Sequence, residues 1–150
     1  MSGSPGEGAA IPAAGPADWA EWIDWAHQVE DPRADLRWGT IPRLLADVAA
    51  RRPDAEAVAD GPVRLSYAEL ATQAGALSRA LMASGVAKGD RVAIWAPNCA
   101  QWIVSALGAL GAGAVVVTVN TRFKGGEAAY ILRASGARVL LAVEGFLGVD

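Results

Sequence analysis

The stretch VAIWAPNCAQWIVSALGALGAGAVVVTVNT, Val92 to Thr121, holds 30 residues without one Asp, Glu, Lys or Arg, and Arg91 and Arg122 bracket it. Its length would allow a membrane crossing, since a spanning helix needs about 20 continuous apolar residues. Its internal punctuation argues otherwise. Pro97 and Asn98 interrupt it early, and Asn98 is an N-cap residue type for a new helix. Trp102, Ile103, Ala106 and Leu110 then recur at helical spacing. Gly111 and Gly113 break that helix, and the β-branched run Ala114–Val119 reads as a strand. Strand, capped helix, glycine break and strand make a βαβ unit of a water-soluble α/β domain.

The flanks repeat the alternation. Upstream, Ser66 and Glu69 form an S-x-x-E capping box, in which each residue satisfies an orphan backbone donor of the other's helix turn. Leu70, Ala74, Leu77 and Leu81 follow at i, i+4, i+7 and i+11, and Gly85 ends the helix. Before it, Thr40 caps a helix with Pro42 in its first turn and Leu44, Leu45, Val48 and Ala49 on its apolar face, stopped by Pro53. Two short strands are expected around Asp60-Gly61-Pro62. Downstream, Glu127 opens a helix that ends at Gly136, a strand follows near 138–143, and FLGVD, residues 146–150, opens another helix. The strands near 91–96, 114–119 and 138–143 are apolar runs rather than alternations, as in parallel strands covered on both faces. The fold class is α/β, a partial doubly wound sheet with flanking helices.

The N-terminal region differs. Residues 1–35 carry seven acids and one base, a net of −6, whereas residues 36–150 carry +3. Residues 1–16 are rich in Gly, Pro, Ala and Ser and read as a disordered tail. They lack the basic start and apolar core of a secretory signal, so a cytoplasmic location is expected. Residues 17–34 form an acidic, Trp-rich extension. Asp18 caps a helix that places Trp19, Trp22, Trp25, Ala26 and Val29 on one side. Glu21 and Asp24 on its other side argue against a membrane-surface helix, which favours Lys and Arg there. The readings left are a helix packed on its own domain, a poorly ordered extension, and a docking element for a partner.

Chemistry-bearing clusters are scarce. His27 is the only histidine and Cys99 the only cysteine, so a catalytic triad, a disulfide and a cysteine metal site have no basis. Cys99 falls at a helix start, where a thiol can be activated, but a small core residue beside Trp102 is the simpler expectation. Gly108, Gly111 and Gly113 read G-x-x-G-x-G, the reverse of the dinucleotide fingerprint, and they precede a strand instead of following one. Lys124-Gly125-Gly126 is expected to be the turn into the next helix. The net charge of −3 gives no sign of nucleic-acid binding.

Four segments in register resemble the start of an adenylate-forming acyl-CoA ligase. Leu65-Ser66-Tyr67-Ala68-Glu69-Leu70 matches L-[TS]-Y-x-E-L; GVAKGDRVAIWAPNCAQWI, ALGALGAGAVVVTVNTRF and GGEAAYILRASGARVLL match the three motifs that follow it in that family. The match covers about Asp35 to Asp150. Thr118 stands where the family often has Pro, and Gln101 where it has an acid. The resemblance implies that residues 35–150 are the N-terminal portion of an AMP-binding domain. The full-length enzyme would use ATP, Mg²⁺ and coenzyme A to convert a small-molecule carboxylic acid to its acyl-CoA, releasing AMP and pyrophosphate. Fatty-acid or steroid-ring-propanoate ligases are the most similar branch, which implies a role in fatty acid and lipid metabolism. The family's Ser/Thr/Gly-rich phosphate loop ends in Gly-x-Pro-Lys, which does not occur here. The resemblance therefore assigns no catalytic, cofactor-binding or metal residue to this chain, which is expected to be inactive alone and to bind none of these cofactors well. A non-catalytic α/β module with a Trp-rich docking helix, and the start of an amino-acid-adenylating domain, are the alternatives. The oligomeric state has no sequence signal.

Overall fold

The computed structural model describes residues 39–145. The tail, the Trp-rich segment with Asp18 and His27, and the helix expected over residues 146–150 lie outside them.

Helix α1 (Ile41–Arg51) starts from Thr40, whose Oγ1 accepts the Arg43 N–H at 3.4 Å, and it ends before Pro53. Strands β1 (Glu56–Asp60) and β2 (Val63–Ser66) form an antiparallel pair joined by Gly61-Pro62. Ser66 passes directly into α2 (Tyr67–Ala83). The expected capping box is complete: Ser66 Oγ accepts the Glu69 N–H at 3.2 Å, and Glu69 Oε2 accepts the Ser66 N–H at 2.8 Å. Then come β3 (Arg91–Trp95), α3 (Ala100–Gly111), β4 (Val115–Thr118), α4 (Gly125–Ser135) and β5 (Val139–Ala142).

The last three strands are parallel, in the order β4-β3-β5. Two successive βαβ crossovers therefore place their strands on opposite sides of β3, and helices cover both faces. On one face Val92, Val116, Val139 and Leu141 pack with Leu77 and Leu81 of α2 and Ala109 of α3. On the other, Ala93, Trp95 and Val117 pack with Ala128, Ile131 and Leu132 of α4. Val92 and Ile94 are fully enclosed, each contributing about 1.5–3 kcal/mol relative to an exposed side chain. A third cluster joins Val58 and Leu65 of the hairpin to Leu70 of α2 and Ala100 of α3, with Leu45 of α1 against it.

The 30-residue uncharged stretch is thus β3, α3 and β4. Among the described residues no helix is long and apolar enough to cross a membrane.

Several expectations need correction. Among the described strands β3 is central and β4 and β5 flank it; β4 packs Val116 and Val117 on opposite faces but leaves Val115 exposed, and β5 packs Val139 and Leu141 on one face while Leu140 stands exposed. Leu44 and Ile103 also point outward, because α1 and α3 turn Leu45, Val104 and Leu107 inward instead. On α2, Ser78 is buried while Leu77 is only partly so. The glycines explain this. A Cβ on Gly108 would lie 2.8–2.9 Å from three side-chain atoms of Leu77, and one on Gly111 would lie 3.2 Å from Ser78 Oγ. Gly108 and Gly111 are one turn apart on α3 and let α2 approach closely. Gly111 is the last residue of α3, and the break falls at Ala112-Gly113.

Candidate functional site

In open parallel sheets, ligands bind outside the carboxyl ends of the strands. Here the carboxyl ends of β3 and β4 open into a cleft of about 620 Å³, lined among others by Pro97, Asn98, Trp102, Thr118, Asn120 and Phe123. Asn98 and Trp102 also line a second cleft of about 340 Å³, with Val58 and Asp60 on its hairpin side.

The walls of the first cleft are set by backbone hydrogen bonding. Asn120 follows β4 by two residues. Its carbonyl accepts the Trp95 indole N–H at 3.1 Å and the Phe123 N–H at 3.0 Å, while its Oδ1 accepts the Arg122 N–H at 2.9 Å. An Asn side chain that takes the amide two residues on is a backbone-turn mimic. It turns the chain from β4 toward α4 and brings Phe123 to the cleft.

The other wall is the start of α3. The expected cap, Asn98, is not used. Cys99 is the N-cap residue but makes no side-chain cap bond. The carboxylate of Asp60 arrives from β1 instead, accepting the Ala100 N–H at 2.9 Å. A carboxylate at a helix N-terminus satisfies an orphan donor and complements the helix dipole. Cys99 itself is half-buried on the second cleft, beside Trp102.

At the amino ends of the strands the motif Gly89-Asp90-Arg91 ties the sheet together. The Gly89 N–H donates to the Gly113 carbonyl at 2.9 Å, and the Asp90 carbonyl accepts the Val115 N–H at 2.8 Å. Asp90 Oδ2 accepts the Ala87 N–H at 2.9 Å. Arg91 Nε donates to the Ser135 carbonyl at 2.8 Å at the end of α4, where Gly136 has φ 62°. A Cβ on Gly136 would sit 2.7 Å from the Arg91 guanidinium. These residues lie at the opposite edge from the cleft and build the frame.

Glu69 is fully exposed, and its carboxyl is held below the ordinary value of 4.5, first by the Ser66 backbone N–H and then by the Ser66 hydroxyl. The entry turn expected over Lys124-Gly125-Gly126 is shorter than that: Lys124 is the N-cap residue, and Gly125 and Gly126 already belong to the first turn of α4. The Lys124 N–H donates to Glu127 Oε2 at 3.0 Å; Lys124 has no acceptor with which to complete a reciprocal box.

Among the described residues no three His, Cys, Asp or Glu side chains are grouped to hold a metal ion. The lining of the larger cleft carries amides, hydroxyls and apolar groups, with no Lys, Arg or carboxylate. That donor set does not fit a magnesium triphosphate, which needs opposing charge and metal ligands. No step through ATP or Mg²⁺ follows from these residues.

Sequence reasoning missed the cleft residues Asn98, Trp102, Thr118 and Asn120. The available signal was positional: Asn98 and Asn120 follow the two apolar strands of a βαβ unit, Thr118 ends the second, and Trp102 lies in the first turn of the helix between them.

The parallel sheet with helices on both faces, and a cleft at its carboxyl edge, define an α/β domain of doubly wound type. Residues 45–149 match the AMP-binding enzyme family, and the chain belongs to it. A putative acyl-CoA synthetase, YngI of Bacillus subtilis, is 38% identical over 119 residues, covering 78% of this chain and 22% of that protein. The 3-[(3aS,4S,7aS)-7a-methyl-1,5-dioxo-octahydro-1H-inden-4-yl]propanoyl:CoA ligase of Rhodococcus jostii is 40% identical over 111 residues, 74% of this chain and 22% of that one. Among solved structures, the inhibitor-bound N-terminal domain of FACL13 from Mycobacterium tuberculosis superposes with a TM-score of 0.66 at 35% identity, over 69% of this chain and 26% of that chain. The chain therefore spans about a fifth of the length of the curated relatives it matches.

Proposed function

We propose that the chain is the N-terminal part of an acyl-CoA synthetase, the full-length enzyme joining a carboxylic acid to coenzyme A with conversion of ATP to AMP and pyrophosphate. The single observation that carries this is the family match over residues 45–149, together with relatives whose names specify acid–CoA ligation. Residues 1–16 would be a tail, 17–34 an acidic Trp-rich extension, and 35–150 the opening of the AMP-binding domain. The substrate class is a fatty acid, by analogy with a long-chain-fatty-acid–CoA ligase of Bacillus subtilis that is 36% identical over 105 residues, or a ring-bearing propanoate, by analogy with the Rhodococcus jostii ligase, and the location is the cytoplasm.

In this reading the 150 residues are scaffold. The phosphate loop ending in Gly-x-Pro-Lys is absent from the sequence, and the cleft lining is uncharged. The chain alone then neither forms an acyl-adenylate nor binds ATP, Mg²⁺ or coenzyme A well. Reading the coding sequence beyond Asp150 tests the assignment. A Ser/Thr/Gly-rich loop ending in Gly-x-Pro-Lys is the expected finding. A downstream sequence without such a loop in any frame would leave a non-catalytic module as the better account.

A further inference from the structure

The carboxyl edge of the sheet holds one residue on which several contacts converge. Asn120 takes three hydrogen bonds from three separate residues: the Trp95 indole and the Phe123 amide on its carbonyl, and the Arg122 amide on its side chain. Trp95 is the last residue of β3 and packs with Phe123 and Val117 under α4. Phe123 and Asn120 both line the larger cleft. We infer that Asn120 is the positioning residue of this cleft: its side chain closes the 120–122 turn, which aims its own carbonyl at the Trp95 indole and fixes Phe123 as a cleft wall.

The physical case is one of geometry. Asn120 is exposed, so its Oδ1 has water as an alternative partner, and a single neutral bond of this kind contributes little net stability. Its effect lies in orientation. Without the Oδ1 bond the turn has only the Phe123 N–H to the Asn120 carbonyl to hold it, and that carbonyl is shared with Trp95. Loss of the side-chain acceptor is then felt 25 residues away at the Trp95 indole, while the ladder of β3, held by β4 and β5 on both sides, is unaffected. A cleft wall placed in this way is preformed, which lowers the ordering cost of any ligand that enters.

The cleft's importance rests on the acyl-CoA synthetase reading, but the positioning role needs no catalysis to be measured, so the two fail separately. Solvent exchange of the Trp95 indole N–H and the Arg122 and Phe123 amides is followed by NMR in the 150-residue chain. In Asn120→Ala all three are expected to exchange about five- to tenfold faster, with the amides of Val92 to Ile94 unchanged. Asn120→Asp keeps an acceptor at the same place and is expected to restore protection. Trp95→Phe approaches the network from its other end and is expected to accelerate the Phe123 amide. Acceleration confined to Arg122 in Asn120→Ala, or exchange in Asn120→Asp as fast as in Asn120→Ala, would overturn the inference. If Asn120→Ala does not fold, an unaltered Phe123 amide in Trp95→Phe would do the same.

Discussion

The carboxylate of Asp60 and the backbone N–H of Ala100 meet at 2.9 Å, so the first turn of α3 is capped by a residue 40 positions upstream. The hairpin is thereby joined to the helix that follows β3, at the wall of the second cleft. Asp60→Ala leaves the helix start without this partner, at a cost of about 0.5–2 kcal/mol. Urea unfolding followed by circular dichroism would show the midpoint falling. Asp60→Asn keeps an acceptor and should recover most of the loss. Equal midpoints for the parent and Asp60→Ala would mean that the cap contributes nothing.

At Gly108, α3 packs against Leu77 of α2 with no room for a side chain. Alanine is the better helix former by about 1 kcal/mol, so an unhindered site would gain from Gly108→Ala. Here the new Cβ meets Leu77 at 2.8–2.9 Å, including its Cβ, an atom that moves only with its helix. Overpacking of this kind costs about 1–3 kcal/mol, so the expected outcome is a lower thermal midpoint. Gly126→Ala is the contrast. Its Cβ meets nothing within 4 Å, and it lies in the first turn of α4, so a gain of up to about 1 kcal/mol is expected.

Glu69 links stability to pH. Its folded carboxyl titrates below 4.5, held there by the backbone N–H and then the hydroxyl of Ser66. A group with a depressed folded value stabilises the fold fully above its unfolded value and loses that contribution as the pH falls through the folded one. The capping contribution should therefore be constant at neutral pH and decline only below about 4.5. Glu69→Gln removes that part of the acid-side slope, and a titration of the Glu69 side-chain carbon by NMR should give a midpoint below the ordinary glutamate value.

Features set by neighbours in sequence were legible without the structure. The Ser66–Glu69 box, the Thr40 cap, the Gly136 helix end and the alternation of β3, α3 and β4 all depend on residues within one or two turns. The opposite holds for contacts made across the fold. Asn98 has the chemistry of a cap, yet Asp60 caps α3, because nothing local encodes the approach of the hairpin. The order of Gly108 and Gly111 excludes a nucleotide fingerprint, but their packing role against Leu77 and Ser78 has no local signal. The apolar run of β5 implied cover on both faces, but Leu140 stands exposed, and which face of a strand is packed depends on helices that its own residues do not encode. Asn120 was unreadable for the same reason, since its importance comes from Trp95.

The central claim is that these residues frame an acyl-adenylate-forming enzyme without supplying its chemistry. ATP–pyrophosphate exchange by the purified 150-residue chain, shown to be folded by its circular dichroism and offered fatty acids and ring-bearing propanoates, tests it most directly. The account predicts exchange no faster than with heat-denatured protein. Acid-dependent exchange above that background would contradict it.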